Sequence, residues 1–464
     1  MKKIPNHLLS NWINFWVLVF GASVLSIEGH GGESAIILLL TMIFIFLTRT
    51  DLDSKYKLNK DEIIFITLVI LFWLLNIVNT IFQPLGLEFE NTRMALRAID
   101  NPMRWILMLP IYFLIRRYNL DWRFVAIGLS IGVFFTVSIA MYEVYILGNT
   151  RATGGMNHVI TFGELMVAAD LLLWIFMFFA WKKNQKKLAL ILLFSSLFAF
   201  YGSLLSVTRG AWLAYLFMII FFAIYIIKLG LFNKKHLFSK PLLLRLFFTL
   251  ILFLTVSQTE QFKTIEKRSI DAVEVLSGNS EVNASAARVD IFRTAIEIAR
   301  HFPGGVGTDN FRTGGKAVII LDANNNRNIV VKNQDNLVVD YDDLDGNIHR
   351  YDWLQSFNKE DGSRIYTSRF RHAHNEWLNV LAENGLLGFI LLTLVFLFPL
   401  KVFWQNLTHE NELVSMYSYC GIVLVICFTI FGQTQSIFTS HAALIFFIFF
   451  LYLFFSQISI LKKH

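Results

Sequence analysis

The sequence predicts an all-α polytopic membrane protein, with about twelve transmembrane helices and one large loop. Three observations predict it. Apolar runs of bilayer-spanning length fill most of the chain, and one polar stretch, from about Gln258 to Arg371, interrupts them. Basic residues also alternate in density from one inter-span segment to the next. Only 16% of the 464 residues are charged and 55% are hydrophobic, whereas a soluble domain carries about a quarter charged residues. A soluble multidomain protein is therefore excluded.

The apolar runs lie near 12–27, 34–48, 61–82, 103–116, 123–147, 159–181, 188–206, 211–229, 241–257, 377–400, 413–431 and 436–461. They divide the chain into helices 1–9 over residues 1–257, a loop over 258–376 that carries the polar motifs, and helices 10–12 over 377–464. The first run follows Met1-Lys2-Lys3 without a persuasive small-residue cleavage site, so it reads as a retained span and not a signal peptide. Cys420 and Cys427 stand seven apart in one apolar run and read as buried thiols.

Basic residues set the expected orientation, because Lys and Arg in short loops collect on the cytoplasmic side. With the start of the chain placed inside, 21 of the 26 short-loop and terminal basic residues face the cytoplasm, from Lys2 and Lys3 through Arg116, Lys182 and Arg245 to Lys462 and Lys463. Five face outward: Arg93, Arg97, Arg104, Arg151 and Arg209. Both termini are then cytoplasmic and the large loop lies outside. Most of the net charge of +7 is topology signal and calls for no nucleic acid.

All five outward residues are arginines. They either snorkel to the interface or recognise phosphate through the planar guanidinium fork. Arg209 is the sharpest case. Ser206-Val207-Thr208-Arg209-Gly210-Ala211-Trp212 joins two spans with no room for a solvated loop, and an arginine so near lipid costs up to about 2.5–3.5 kcal/mol unless it is partnered. Arg151 opens a second outward turn, which runs through Gly154-Gly155 to His158. Its glycines permit close approach of backbone to a ligand or simply punctuate a loop.

Within the large loop, Val289, Phe292, Ala295, Ile296 and Ala299 form one stripe of an amphipathic helix over 286–300, and Pro303-Gly304-Gly305-Val306-Gly307 ends it. That glycine run lacks the lysine and strand–helix setting of a phosphate loop. Residues 316–364 are rich in Asn and Asp with short β-like runs, and they read as a solvated hairpin insertion because Gly346 is out of register for a calcium loop.

Arg371-His372-Ala373-His374-Asn375-Glu376 closes the loop against an apolar run. Asn375 is placed to cap a helix starting at Glu376. A helix N-terminus opposes protonation of a nearby imidazole and so favours a general base. The alternatives are two interfacial histidines bonded to loop backbone, or a His-x-His metal pair that no cysteine or carboxylate cluster accompanies.

Three stretches together resemble the O-antigen ligase / O-antigen polymerase superfamily of bacterial inner-membrane glycosyltransferases. They are Thr208-Arg209-Gly210-Ala211-Trp212, then Ala287-Arg288-Val289 leading to Pro303–Gly307, and then His372-Ala373-His374-Asn375-Glu376 with Glu383-Asn384-Gly385-Leu386-Leu387-Gly388. The Arg151–His158 turn is also similar. The resemblance covers about Arg151 to Gly388, and the Asp-rich insertion has no counterpart.

The resemblance implies an O-antigen ligase in the Gram-negative inner membrane. It would move a glycan from undecaprenyl pyrophosphate to the lipid A-core oligosaccharide on the periplasmic face, inverting the anomeric centre with no nucleotide, metal or other cofactor. By the same resemblance His374, or His372, is the general base, and Arg209 and Arg288 hold the pyrophosphate. Arg151, Arg93, Arg97, Asn375 and Glu376 are candidate substrate-binding residues. An O-antigen polymerase would be expected to have two sizeable outer loops, and a protein O-oligosaccharyltransferase a further C-terminal region. A lipid-linked glycan transporter would place its ionisable residues at mid-span.

Overall fold

The computed structural model describes residues 6–25, 30–48, 57–82, 92–118, 120–228, 284–315, 317–318, 329–333, 338–342, 348–351, 356–358, 364–367 and 371–462, with five isolated positions between 244 and 251. Helices dominate: α1 (Asn6–Ser23), α2 (His30–Thr48), α3 (Lys60–Ile81), α4 (Thr92–Leu107), α5 (Leu109–Arg117), α6 (Trp122–Tyr145), α7 (Val159–Lys182), α8 (Lys186–Ser206) and α9 (Arg209–Lys228) precede the large loop. The loop contributes α10 (Ala284–His301) and five short strands, β1 (Ile329–Asn333) to β5 (Arg364–Thr367). After it come α11 (Glu376–Gln405), α12 (Glu412–Thr434), a 3-10 turn (Ile437–Thr439) and α13 (His441–Leu461).

Among the described residues seven helices, α3, α6, α7, α8, α11, α12 and α13, are long and apolar enough to cross a bilayer. The run expected at 103–116 is not one helix. α4 ends at Leu107 and α5 starts at Leu109, because Pro110 has no N–H to give the preceding turn. The run at 241–257 falls mostly outside the described residues, as does the loop from Gln258 to Asn283.

Sequence capping sets several boundaries. Asn59 and Glu62 form a reciprocal capping box at α3, Asp121 caps α6, and Asn411 caps α12. α13 is buried on every side, and stacked phenylalanines pack it. An all-round apolar helix of this kind belongs at the centre of a bundle. The faces of α3, α6, α9 and α11 that carry Leu71, Phe135, Ile219 and Leu397 remain exposed, as lipid-facing surfaces should.

Polar groups sort to the two ends of this bundle. At one end Arg116 pairs with Glu62, and Lys182 and Lys183 both reach Glu412. α3, α6 and α7 start or end there with Lys60, Arg123 and Lys182, and α8 starts with Lys186. At the opposite end lie the starts of α7, α9 and α11 and the ends of α3, α6, α8 and α12. Arg245 departs from the charge pattern. The sequence places it with the basic end, yet it is buried against Asp170 near the middle of α7, with both carboxylate oxygens 2.7 Å from its Nη2. Tyr215 also donates to Asp170, at 2.8 Å.

The insertion forms an antiparallel three-stranded sheet, ordered β1-β2-β3, and a separate β4–β5 hairpin. Its hairpin character matches expectation, and it adds strand structure to an otherwise helical protein. The phase of α10 differs from the predicted stripe. Ile291, Thr294, Ala295 and Ile298 are buried, while Ile296 is 39% exposed. The helix rotates because it packs against α11, so protein contacts and not the mean apolar face fix its orientation.

Candidate functional site

The segment from Pro303 to Gly307 docks onto a break in α11, and this fixes the loop relative to the spans. Gly385 has φ +68° and ψ −171°, which interrupts the helix that the sequence reads as continuous from Trp377. Val306 N–H donates to the Ala382 carbonyl at 3.1 Å, Gly307 N–H to Glu383 at 2.8 Å, and Leu386 N–H to Pro303 at 3.3 Å. Gly305 faces this contact at φ +90°, and a Cβ there would lie 2.3 Å from the Glu383 carbonyl oxygen. Asn384 Nδ2 donates to Asn76 Oδ1 at 3.0 Å, and Asn79 Nδ2 donates to the Gly304 carbonyl at 2.9 Å. The break therefore exposes backbone groups that the turn satisfies, and the polar first turns of α11 stay buried without loss.

Those first turns begin at the histidines. Asn375 caps α11 as the sequence predicts, its Oδ1 accepting from Leu378 N–H at 3.0 Å. Its Nδ2 donates to Gln433 Oε1 at 3.0 Å. Ala373 N–H donates to Asn379 Oδ1. Between these anchors His374 is held at φ +50°, a left-handed conformation uncommon for a side chain of this size and often tied to function. Its Nδ1 lies 2.7 Å from Gln435 Oε1. His372 packs edge-on against it, with ring centroids 4.3 Å apart. Glu376, a candidate substrate ligand in the sequence, instead receives the Phe438 N–H at 3.0 Å and is buried. It ties α11 to the turn before α13.

Electrostatics keep this pair neutral. Burial pushes the His372 pKa down to about 4, with His374 and His158 adding to the effect. Burial also lowers the pKa of His374. The bond to Gln435 opposes that shift, and Arg288 and His158 reinforce it. Arg288 on α10 and His158 at the start of α7 therefore lie close enough to act electrostatically on the same imidazole. His158 caps α7, its Nδ1 accepting from Ile160 N–H at 3.3 Å.

The arginines of the short turns sit beside this cluster. Val207 ends α8 at φ +55°, unfavourable for a β-branched residue, and turns the chain sharply so that Arg209 opens α9. A Cβ on Gly210 would lie 2.8 Å from Thr434 Oγ1, which puts the Arg209 turn against the end of α12 that bears Gln435. Arg151 braces the same turn. Its Nε donates to the Ser206 carbonyl at 3.0 Å and its Nη2 to Thr208 Oγ1 at 3.4 Å. Gly154 and Gly155 do cradle an anion, but it is the carboxylate of Glu143, which their N–H groups and that of Thr153 contact.

The structure thus gathers His374, His372, Arg288, Arg209 and Arg151 at one end of the bundle. Arg93 and Arg97 fall in the first turns of α4, which packs on α3, α5 and α13. Gln435, Gln433 and Glu143 build the site without being legible as site residues in the sequence. No local pattern marks a glutamine at the end of an apolar helix as the partner of a histidine 61 positions earlier.

An apolar helical bundle with a polar, arginine- and histidine-bearing site at one end defines a multi-pass membrane protein. A family model described as O-antigen ligase matches residues 191–341, a stretch that holds Arg209, Arg288 and the Pro303–Gly307 turn. A Haemophilus influenzae protein described as uncharacterized is 21% identical over 453 residues, covering 96% of this chain and 98% of its own length. The family match supports an O-antigen ligase-type superfamily member, a family of glycosyltransferase-like enzymes.

Proposed function

We propose that this protein is an O-antigen ligase of the Gram-negative inner membrane, with about twelve spans, both termini cytoplasmic and the Gln258–Arg371 loop periplasmic. Its donor is a glycan on undecaprenyl pyrophosphate and its acceptor is the lipid A-core oligosaccharide. The observation that carries this reading is His374: a half-buried imidazole bonded through Nδ1 to Gln435, beside Arg288 and the Arg209 turn.

In the proposed step the acceptor hydroxyl oxygen attacks the anomeric carbon of the donor glycan from the face opposite the pyrophosphate. His374 Nε2 takes the hydroxyl proton as the new glycosidic bond forms. The bond from the anomeric carbon to the pyrophosphate oxygen breaks, and its electron pair leaves on undecaprenyl pyrophosphate. Arg209 and Arg288 stabilise that developing charge, and Arg151 holds the turn that presents Arg209. Arg93 and Arg97 dock anionic core or lipid headgroups at the membrane surface.

The sorting of charge supports the orientation. Lys60, Arg116, Arg123, Lys182 and Lys186 gather at the end away from the site. Lipopolysaccharide from a strain lacking this protein tests the activity. Loss of the whole ladder while lipid-linked polymer accumulates is the expected result. A band of core carrying a single repeat would replace the ligase with a polymerase, and an unchanged ladder would remove both.

A further inference from the structure

Catalysis by His374 requires one particular tautomer, and a residue outside every motif of the sequence sets it. Resting on the reading of His374 as base, we propose that Gln435 is a positioning residue that holds Nδ1 protonated and so leaves the Nε2 lone pair for the acceptor hydroxyl. Gln435 ends α12 in extended backbone, φ −154° and ψ 154°, with its N–H donating to the Phe431 carbonyl at 2.9 Å. Its side chain is 7% exposed, so the amide has little water to bond to in place of the imidazole.

Its Oε1 is 2.7 Å from His374 Nδ1. An amide oxygen has no proton to give, so Nδ1 donates and Nε2 becomes the acceptor. Gln433, two residues earlier, donates nothing to the ring and instead accepts from Asn375. The end of α12 thus grips the His374-Asn375 pair through two amides, one on the ring and one on the helix cap. The grip coincides with the left-handed backbone of His374, φ +50°, so ring and main chain are both held at this position.

The charged and titratable groups around this ring come from every neighbouring element. Among the described residues they are His372 beside it, His158 at the start of α7 and Arg288 on α10. Glu376, two residues further along the chain, is engaged with Phe438 N–H. Protonating His374 would set a cation among arginine and histidine side chains, with Gln435 the neutral acceptor that offsets part of that penalty. A stronger acceptor at 435 must therefore raise the pH at which the base is lost, and a missing acceptor must lower it.

The test uses purified full-length protein in nanodiscs. The substrates are lipid-linked polymer and lipid A-core extracted from the strain lacking this chain, and initial rates are followed from pH 4.5 to 8.5. Gln435→Glu, which can accept the Nδ1 proton but not donate, should move the acid limb up by about one pH unit and keep the rate at pH 8 within about threefold. Gln435→Ala should lower the plateau rate about 10–100-fold, as loss of an orienting partner does elsewhere, with donor KM little changed. Size-exclusion profiles of both variants must match the parent.

An acid limb unmoved by Gln435→Glu would overturn the proposal. So would a well-folded Gln435→Glu variant inactive at every pH, because that result means the amide normally donates to Nδ1. Full activity of Gln435→Ala with inactive His374→Ala would sink Gln435 alone. Full activity of His374→Ala would sink the base itself.

Discussion

The Pro303 carbonyl oxygen stands 2.2 Å from the point where a Cβ on Gly385 would be, and it accepts the N–H of Leu386 just beyond. Two glycines at positive φ, Gly305 and Gly385, thus lock the loop to the helix that begins at Glu376. Neither tolerates a side chain. The left-handed backbone alone costs about 1–3 kcal/mol for another residue, and the displaced carbonyl adds to that. Gly385→Ala should lower the unfolding temperature in detergent by several degrees and reduce transfer, because α10 and Arg288 move with the turn. An unaltered melting curve would show that the lock is not rigid.

Arg209→Ala and Arg288→Ala should each greatly reduce transfer at normal protein levels. Arg209→Lys should restore only part of it, since an ammonium lacks the planar fork that suits a pyrophosphate. Arg151→Ala should also weaken transfer, but through the Ser206–Thr208 brace, and it should lower thermal stability with the loss of those two hydrogen bonds. Full transfer by Arg209→Ala would take that residue out of the mechanism. Arg93→Ala and Arg97→Ala should act mildly and chiefly on acceptor KM.

His374→Ala should remove about 10²–10⁴-fold of the rate, the usual worth of a general base, and leave donor binding largely intact. His372→Ala should be milder. The sign of the pH dependence follows from the direction of the shift. Burial, Arg288 and His158 hold the His374 pKa below its ordinary value, about 6.5. The neutral base is therefore fully present above that value and is lost only as pH falls through the lowered pKa. The acid limb of kcat/KM should accordingly lie below the ordinary imidazole value. EDTA should leave the rate unchanged. Activity lost to EDTA and recovered with a divalent cation would recast the histidines as ligands.

Asp170 and Arg245 form an ion pair among the spans, 0% and 4% exposed. Asp170→Asn strands a guanidinium among Trp174 and Phe200, and breaking such a pair costs about 3–5 kcal/mol. Asp170→Leu combined with Arg245→Met should recover most of that loss, because an apolar pair of similar volume needs no charge compensation. Thermal unfolding in detergent measures both. If the double variant is no more stable than Asp170→Asn, the pair does more than cancel its own burial.

Reporter fusions after Gly278 and after Lys463 should report opposite compartments. The short-loop charge bias and the sorting of Lys60, Arg116 and Lys182 away from the site both lead to this expectation. A cytoplasmic signal after Gly278 would invert the site relative to its proposed substrates.

The sequence by itself determined what depends on near neighbours along the chain. Hydropathy over a single helix length located α3, α6, α7, α8, α11, α12 and α13. The Asn375 cap needed only the three residues after it, and the His372–Glu376 and Thr208–Trp212 motifs are short enough to be legible as strings. Tertiary structure decided what depends on residues far apart. Gln435 meets His374 across 61 positions. Asp170 draws Arg245 away from the basic end across 75. Packing against α11 rotates α10 off its apolar stripe. The Gly154-Gly155 turn reads in sequence either as room for a ligand or as plain loop punctuation, and in the fold Glu143 from α6 fills it. Apart from the α10 rotation, which packing sets, the physical reason is the same in each case. A buried polar group must find a partner, and which partner lies within 3 Å is set by how the helices pack, a quantity absent from the pattern of any one of them.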